Sequence, residues 1–184
     1  MARIAPVTGK AEVPAEHHSV VDQVVSVFGN VRGPFSVLLR SPGLAARMLP
    51  LVTFFRDQSI VDAKLRSVAI LAAVREREAA YVWAAQVAAA RRNGLAEETI
   101  DVLRAKGDPA RLPAEQREIV GYVRQLMRTN RVDQATFDVL ERRHGAQWLV
   151  ELTAAASYFA MLSGMVNAFE VAPPADGDKL PANV

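Results

Sequence analysis

Apolar residues recur at three- and four-residue intervals along most of the chain, the spacing of helices that bury one face. Val20, Val21, Val24, Val25 and Phe28 make a short amphipathic helix that Gly29 and Asn30 stop. After the Gly33-Pro34 turn comes a short apolar run from Phe35 to Arg40. Ser41-Pro42 then reads as an N-cap with proline at the first helical position, opening a helix that Pro50 kinks or interrupts before it resumes from Leu51 to Arg56. Asp62 caps a central helix with Leu65, Val68, Ala69, Leu71, Ala72 and Val74 inward, and a second central helix runs from near Glu78 to the Asn93-Gly94 stop. A third short helix spans Glu97 to Lys106. Pro113 opens a longer one with Ile119, Val120, Val123, Leu126 and Met127 on one face. Asp133 caps the next, which His144-Gly145 ends with a C-terminal capping imidazole, and the last runs from Ala146 to Glu170 with Trp148, Leu152, Phe159 and Val166 on its apolar side.

No segment reads as a strand, so the expected fold is all-α, a compact helical bundle of about eight helices. Residues 1–16 are rich in Pro and Ala without periodicity and read as a flexible arm or one that drapes over a neighbour. Residues 17–170 form a single helical domain, and 171–184 a loose C-terminal tail.

Composition narrows the function classes. The 184 residues contain no cysteine, which removes disulfides, thiolate metal sites and thiol redox chemistry. The adjacent His17 and His18 point about 100° apart on a helix and are poorly placed to chelate one metal, so no metal site is expected. Twenty-two basic and 20 acidic residues leave a net charge of +2 with the signs interleaved, a solvated surface and no nucleic-acid footprint. The N-terminus lacks the apolar core of a secretory signal and no run approaches a bilayer span, so the expectation is a cytoplasmic protein without a membrane partner.

The order of several segments is more telling than any one of them. Leu65-Arg-Ser-Val-Ala-Ile-Leu71, then Tyr81-Val-Trp-Ala-Ala-Gln86 running on to Gly94, then Gln116-Arg-Glu-Ile-Val120, and last Val150-Glu-Leu-Thr153 through Asn167 resemble the carboxymuconolactone decarboxylase and alkylhydroperoxidase-D-like family. The resemblance covers roughly Ser41 to Phe169. It implies an all-helical fold, no cofactor, a small-molecule substrate, and a homo-oligomer, trimer or hexamer, with the pocket near a subunit interface. The peroxidase branch carries E-x11-C-x2-C-x3-H. Aligned on Leu65–Leu71, the glutamate position is Ser67, the cysteine positions are Ala79 and Val82, and the histidine position is Gln86. The decarboxylase branch shows Y-E-W-x-x-H, where this chain has Tyr81, Val82, Trp83 and Gln86.

Ala79, Val82 and Gln86, spaced by three and four, form a nearly apolar pocket wall with one amide. An amide orients a carbonyl or water but moves no proton near neutral pH. Proton transfer is therefore assigned to Glu76, Glu78 and Tyr81, and substrate contacts to Gln86, Ala79, Val82, Ser67, Arg40, Arg56 and Arg66, the arginines as carboxylate partners. Both glutamates also suit pairing with Arg75 or Arg77. Glu151, Tyr158, Ser163 and Asn167 on the last helix read as hydrogen-bonding groups at a subunit interface, and Glu118 as one half of an ion pair. The resulting expectation is a cofactor-independent lyase, decarboxylase or isomerase acting on a small carboxylated or lactone-like molecule. The alternative is a non-catalytic helical oligomer with a relic or apolar ligand pocket.

Overall fold

The computed structural model describes residues 2–181. Among them the regular structure is nine α-helices and three short 3-10 turns, with no strand. The helices are α1 (His18–Phe28), α2 (Pro34–Leu38), α3 (Pro42–Asp57), α4 (Ala63–Glu76), α5 (Ala80–Arg92), α6 (Glu97–Arg104), α7 (Ala114–Thr129), α8 (Gln134–His144) and α9 (Ala146–Ala168).

Helix α4 is the axis. Every residue from Arg66 to Arg75 is buried, because α9, α7, α5 and α6 pack around it. Its small side chains permit that: Ala69, Ala72 and Ala73 let neighbours approach closely while Val68, Leu71 and Val74 fill the gaps between them. The Asp62 carboxylate accepts from the backbone N–H groups of Lys64 and Leu65 at 2.9 and 3.1 Å, closing the N-terminus. Asp133 does the same for α8 through Thr136.

The arginines of α4 are buried without being free. Arg66, only 7% exposed, donates to the carbonyl of Val61 at 2.6 Å. Burial pulls its pKa down, against the opposing charges of Asp62, Asp57 and Glu151. Arg75 donates to the Arg104 carbonyl at 2.6 Å and pairs with Glu78. At the C-terminal end Glu76, its side chain 8% exposed, receives a fork from Arg128 at 2.8 Å on both oxygens, and this joins α4 to α7.

Several expectations change. Ser41 makes no side-chain cap, and α3 runs through Pro50 unbroken; Pro50 lies on the exposed side, where water can satisfy the carbonyl its missing N–H leaves free. The second central helix starts at Ala80, because Glu78 is left-handed at φ 51° and breaks the chain's helical course there. His144 caps no carbonyl: its ring stacks on Trp148 at 3.8 Å. The polar groups of α9 bond within the chain, Glu151 accepting from Ile60 N–H, Tyr158 donating to the Met48 carbonyl and Asn167 to that of Arg77. Glu118 pairs with Arg143, as expected.

Neither end of the described chain is loose. The N-terminal arm buries Val7 and Val13 and is stitched on by Val7 N–H to the Ser36 carbonyl at 2.8 Å and by Arg40 to the Ala5 carbonyl. Residues 171–181 return over α5 as a strap, because Leu180 finds apolar cover and Asp178 finds cationic partners. The expected loose tail is therefore docked over those residues, and 182–184 lie outside the described residues. Helix α9, 23 residues long, is apolar enough by composition to cross a bilayer, yet half of that stretch is buried inside the domain.

Two outcomes follow for stability. Leu152→Ala, fully buried where α9 meets α4, is expected to destabilise by about 2–5 kcal/mol in urea denaturation, while Val150→Ala on the exposed side changes stability by under ~0.5 kcal/mol. Burial raises the pKa of Glu76, but the hydrogen bond from Arg128 and the charges of Arg128, Lys106 and Arg124 outweigh it and hold the carboxyl below its ordinary value. A lowered folded-state pKa adds stability above the unfolded value of about 4.3 that is lost as pH falls through the folded one. Glu76→Gln is thus less stable than wild type at pH 7, and the two converge in acid; a gap that persists at low pH would show that charge is not the cause.

Candidate functional site

A cavity of about 390 Å³ opens between the α1–α2 connection, α5, α9 and the strap. Phe28, Phe35, Val52, Val82, Phe159 and Leu162 make it mostly apolar. Phe28 and Phe35 pack ring to ring at 5.2 Å, and this contact sets the wall that α1 and α2 share.

The polar groups come from three places. Tyr81 sits in the first turn of α5, its ring lying against Gly33, which is left-handed at φ 59°. Any Cβ at Gly33 would collide with that ring, so the glycine is required both by its backbone angle and by the tyrosine. Burial pushes the Tyr81 phenol up and nearby Arg32 pulls it partly back, which leaves a neutral hydroxyl at pH 7. No protein group among the described residues hydrogen-bonds that hydroxyl. Gln86, half-buried one turn along α5 from Val82, offers its amide to the same space. Arg32 stands exposed at the rim without an ion pair among the described residues.

At the strap end the charges are already matched. Arg91 forks onto Glu97 and reaches Asp178, and Arg104 also holds Asp178. Asp176 lines the cavity on its exposed side.

Of the residues singled out from the sequence, the fold brings Tyr81, Val82 and Gln86 to this cavity. It sends the others elsewhere. Ala79 is fully buried as the residue before α5 and does not border the space, because the left-handed turn at Glu78 tilts it into the core. Glu76 faces Arg128 and Arg124 of α7, and Glu78 is shared by Arg75 and Lys106. Ser67 donates to the Ala63 carbonyl and accepts from Asn93 at 3.0 Å. Arg40 holds the N-terminal arm, Arg56 pairs with Asp57, and Arg66 serves backbone carbonyls. Ser67 and Ala79, aligned with the glutamate and first cysteine of the peroxidase pattern, thus stand outside the cavity, and of that pattern's aligned positions only Val82 and Gln86 border it.

Arg32, Phe159 and the strap residues were not anticipated. Arg32 carries no local pattern, and Asp176-Gly177-Asp178 has the composition of a loose end; their roles arise from chain return over many residues. Among the described residues no three His, Asp or Glu side chains cluster to hold a metal. The site can therefore enclose an apolar body, hydrogen-bond an oxygen through Tyr81 and Gln86, and favour negative charge near Arg32.

Residues 44–125 match the profile of the Carboxymuconolactone decarboxylase family. No curated protein matches the chain. A crystal structure of an alkylhydroperoxidase AhpD core, an uncharacterized peroxidase-related protein from Ralstonia eutropha JMP134, is similar over 94% of this chain and 95% of its own, with a TM-score of 0.72 at 18% identity. At that identity the likeness speaks for the fold, and the matched segment holds α4 and α5 with the Tyr81–Gln86 wall. With every cysteine absent and glutamine at the histidine position, the chain is similar to the carboxymuconolactone decarboxylase family over residues 44–125, less than half of its length, and shares the all-helical fold of the alkylhydroperoxidase AhpD core.

Proposed function

We propose that this protein binds a small molecule with an apolar body and a carbonyl, lactone or carboxyl oxygen, and that binding dominates over acid–base turnover. The observation that carries this reading is the separation of cavity and acids: Glu76 and Glu78 are held by arginines and a lysine away from a cavity whose central polar groups are Tyr81 and Gln86. Neither of these two is a base at neutral pH. A thermal-shift screen of small oxygenated aromatic and lactone compounds, followed by mass spectrometry, tests it. Tyr81→Phe should weaken a hit by about 1 kcal/mol, roughly fivefold in Kd, while Glu78→Gln leaves Kd unchanged. Weakening by Glu78→Gln equal to that by Tyr81→Phe would sink the assignment.

One feature supports a second reading, a cofactor-independent lyase, decarboxylase or isomerase. The Tyr81 hydroxyl has no hydrogen-bond partner among the described residues, is neutral at pH 7 and belongs to a residue that lines the cavity, so it can protonate a developing carbanion or enolate on a bound molecule. In that case Tyr81→Phe abolishes product formation from a converted hit while the hit still binds.

Self-association through α9 is part of the proposal. Val150, Ala154, Ser157, Met161 and Gly164 are exposed at alternating steps of four and three, a seam without charge. Antiparallel pairing of two copies about Ser157 lays Val150 over Gly164 and Ala154 near Met161, large against small, as a two-fold interface requires. Such pairing favours even-numbered assemblies, a hexamer over a lone trimer. Sedimentation should find one, and Val150→Glu with Met161→Glu should split it; a monomeric wild type would overturn this.

A further inference from the structure

Asp178 fills a carboxylate receptor built by the helices and not by the strap that carries it. Its oxygens accept from Trp83 Nε1 at 3.0 Å, from Arg104 Nη2 at 3.0 Å to each oxygen, from Arg104 Nε at 3.2 Å and from Arg91 Nη2 at 3.0 Å. α5 supplies the indole and Arg91, and α6 supplies Arg104. Both arginines keep other partners, Glu97 for Arg91 and Asp101 for Arg104, so the cradle stays ordered when Asp178 leaves. The Asp178 side chain is 13% exposed, which makes these charge-assisted bonds strong.

The strap itself is thinly held. From 172 to 181 the one backbone hydrogen bond among the described residues is internal, Gly177 N–H to the Pro174 carbonyl. Gly177 lies so close to α5 that a Cβ would stand 2.8 Å from that of Ala84. Apart from Leu180, which packs on the core, Asp178 is the anchor. Pro174, Asp176, Gly177 and Asp178 form a wall of the cavity.

We propose that the strap is an internal ligand: Asp178 occupies the subsite for the carboxylate of a small carboxylated molecule, which enters the cavity by exchanging with it at Arg91, Arg104 and Trp83. This rests on the cavity being a binding site. Exchange of one carboxylate for another conserves charge and hydrogen bonds, whereas a neutral molecule leaves Trp83 Nε1 without its carboxylate acceptor and Arg104 with Asp101 alone. Because the strap competes from within the chain, only ligands that also fill the apolar space displace it, and apparent affinity falls with the fraction of open strap.

The test uses the full chain, Asp178→Ala and Gly177→Val, with phenylacetate, phenylacetamide and acetate as probes. Gly177→Val pushes the strap off α5 while leaving Asp178 and the cradle intact, and circular dichroism confirms folding. Calorimetry is expected to give phenylacetate about tenfold tighter binding to both variants than to wild type, with phenylacetamide unchanged. Hydrogen exchange of residues 171–181 in wild type should quicken with phenylacetate and not with phenylacetamide. The inference is overturned if phenylacetate binds all three chains equally, if phenylacetamide gains as much, or if strap exchange does not respond at saturation. Acetate separates the two claims, since it needs the cradle alone: acetate binding as tightly as phenylacetate to Asp178→Ala keeps the cradle but rejects the cavity reading, while both aromatic probes binding every chain alike keeps the cavity and rejects the exchange.

Discussion

The burial of α4 from Arg66 to Arg75 is the constraint on which the structure depends. A helix covered on every side must offer small or apolar side chains wherever a neighbour touches it, and Val68 to Val74 do so. Its charged ends cannot reach water freely either. Arg66 and Arg75 are therefore met by backbone carbonyls, and Glu76 and Glu78 by cations from α7 and the segment after α6. Unpaired, any of these charges would be expensive to keep inside.

That solution has a chemical consequence. Glu76 and Glu78 are consumed in holding the bundle together, so they stand outside the cavity that α5 and α9 enclose. Tyr81, kept in place by a glycine that leaves room for its ring, becomes the principal polar group there. The cavity offers hydrogen-bonding capacity at Tyr81 and Gln86, and its strap end lies beside the cationic cradle of Arg91 and Arg104. Asp178 reaches that cradle as an ionised carboxylate: burial alone would raise its pKa, but the hydrogen bonds from Trp83 and Arg104 and the Arg104 charge hold it low.

Helix α9 serves both sides of the molecule. Leu152, Ala155, Ala156, Phe159 and Leu162 face α4 or the cavity, and the opposite side is uncharged and exposed. Such a helix is apolar nearly all round, with one side packed in the core and the other exposed without charge. Its polar residues do not interrupt either face, because Tyr158 and Ser163 bond to carbonyls of the same chain.

Helix periodicity, the aspartate caps at Asp62 and Asp133, and the glycine stops were legible in the sequence because each is a local matter of spacing and backbone geometry. So was the likeness to the carboxymuconolactone decarboxylase family, through the order of several segments, and so was the exclusion of thiol chemistry by the lack of cysteine. Tyr81, Val82 and Gln86 could be placed together because one helix carries them. The arginines and glutamates could not be sorted, since whether Arg66 faces a ligand or a carbonyl, or Glu76 a cavity or Arg128, depends on which helix packs opposite. The ends were misread for the same reason: Pro- and Gly-rich residues look loose by composition, and only the return of the chain over α5 gives Asp178 its partners. Local spacing determined the helices and the absence of cysteine ruled out thiol chemistry, while long-range packing decided which charged groups are structural and which border the site.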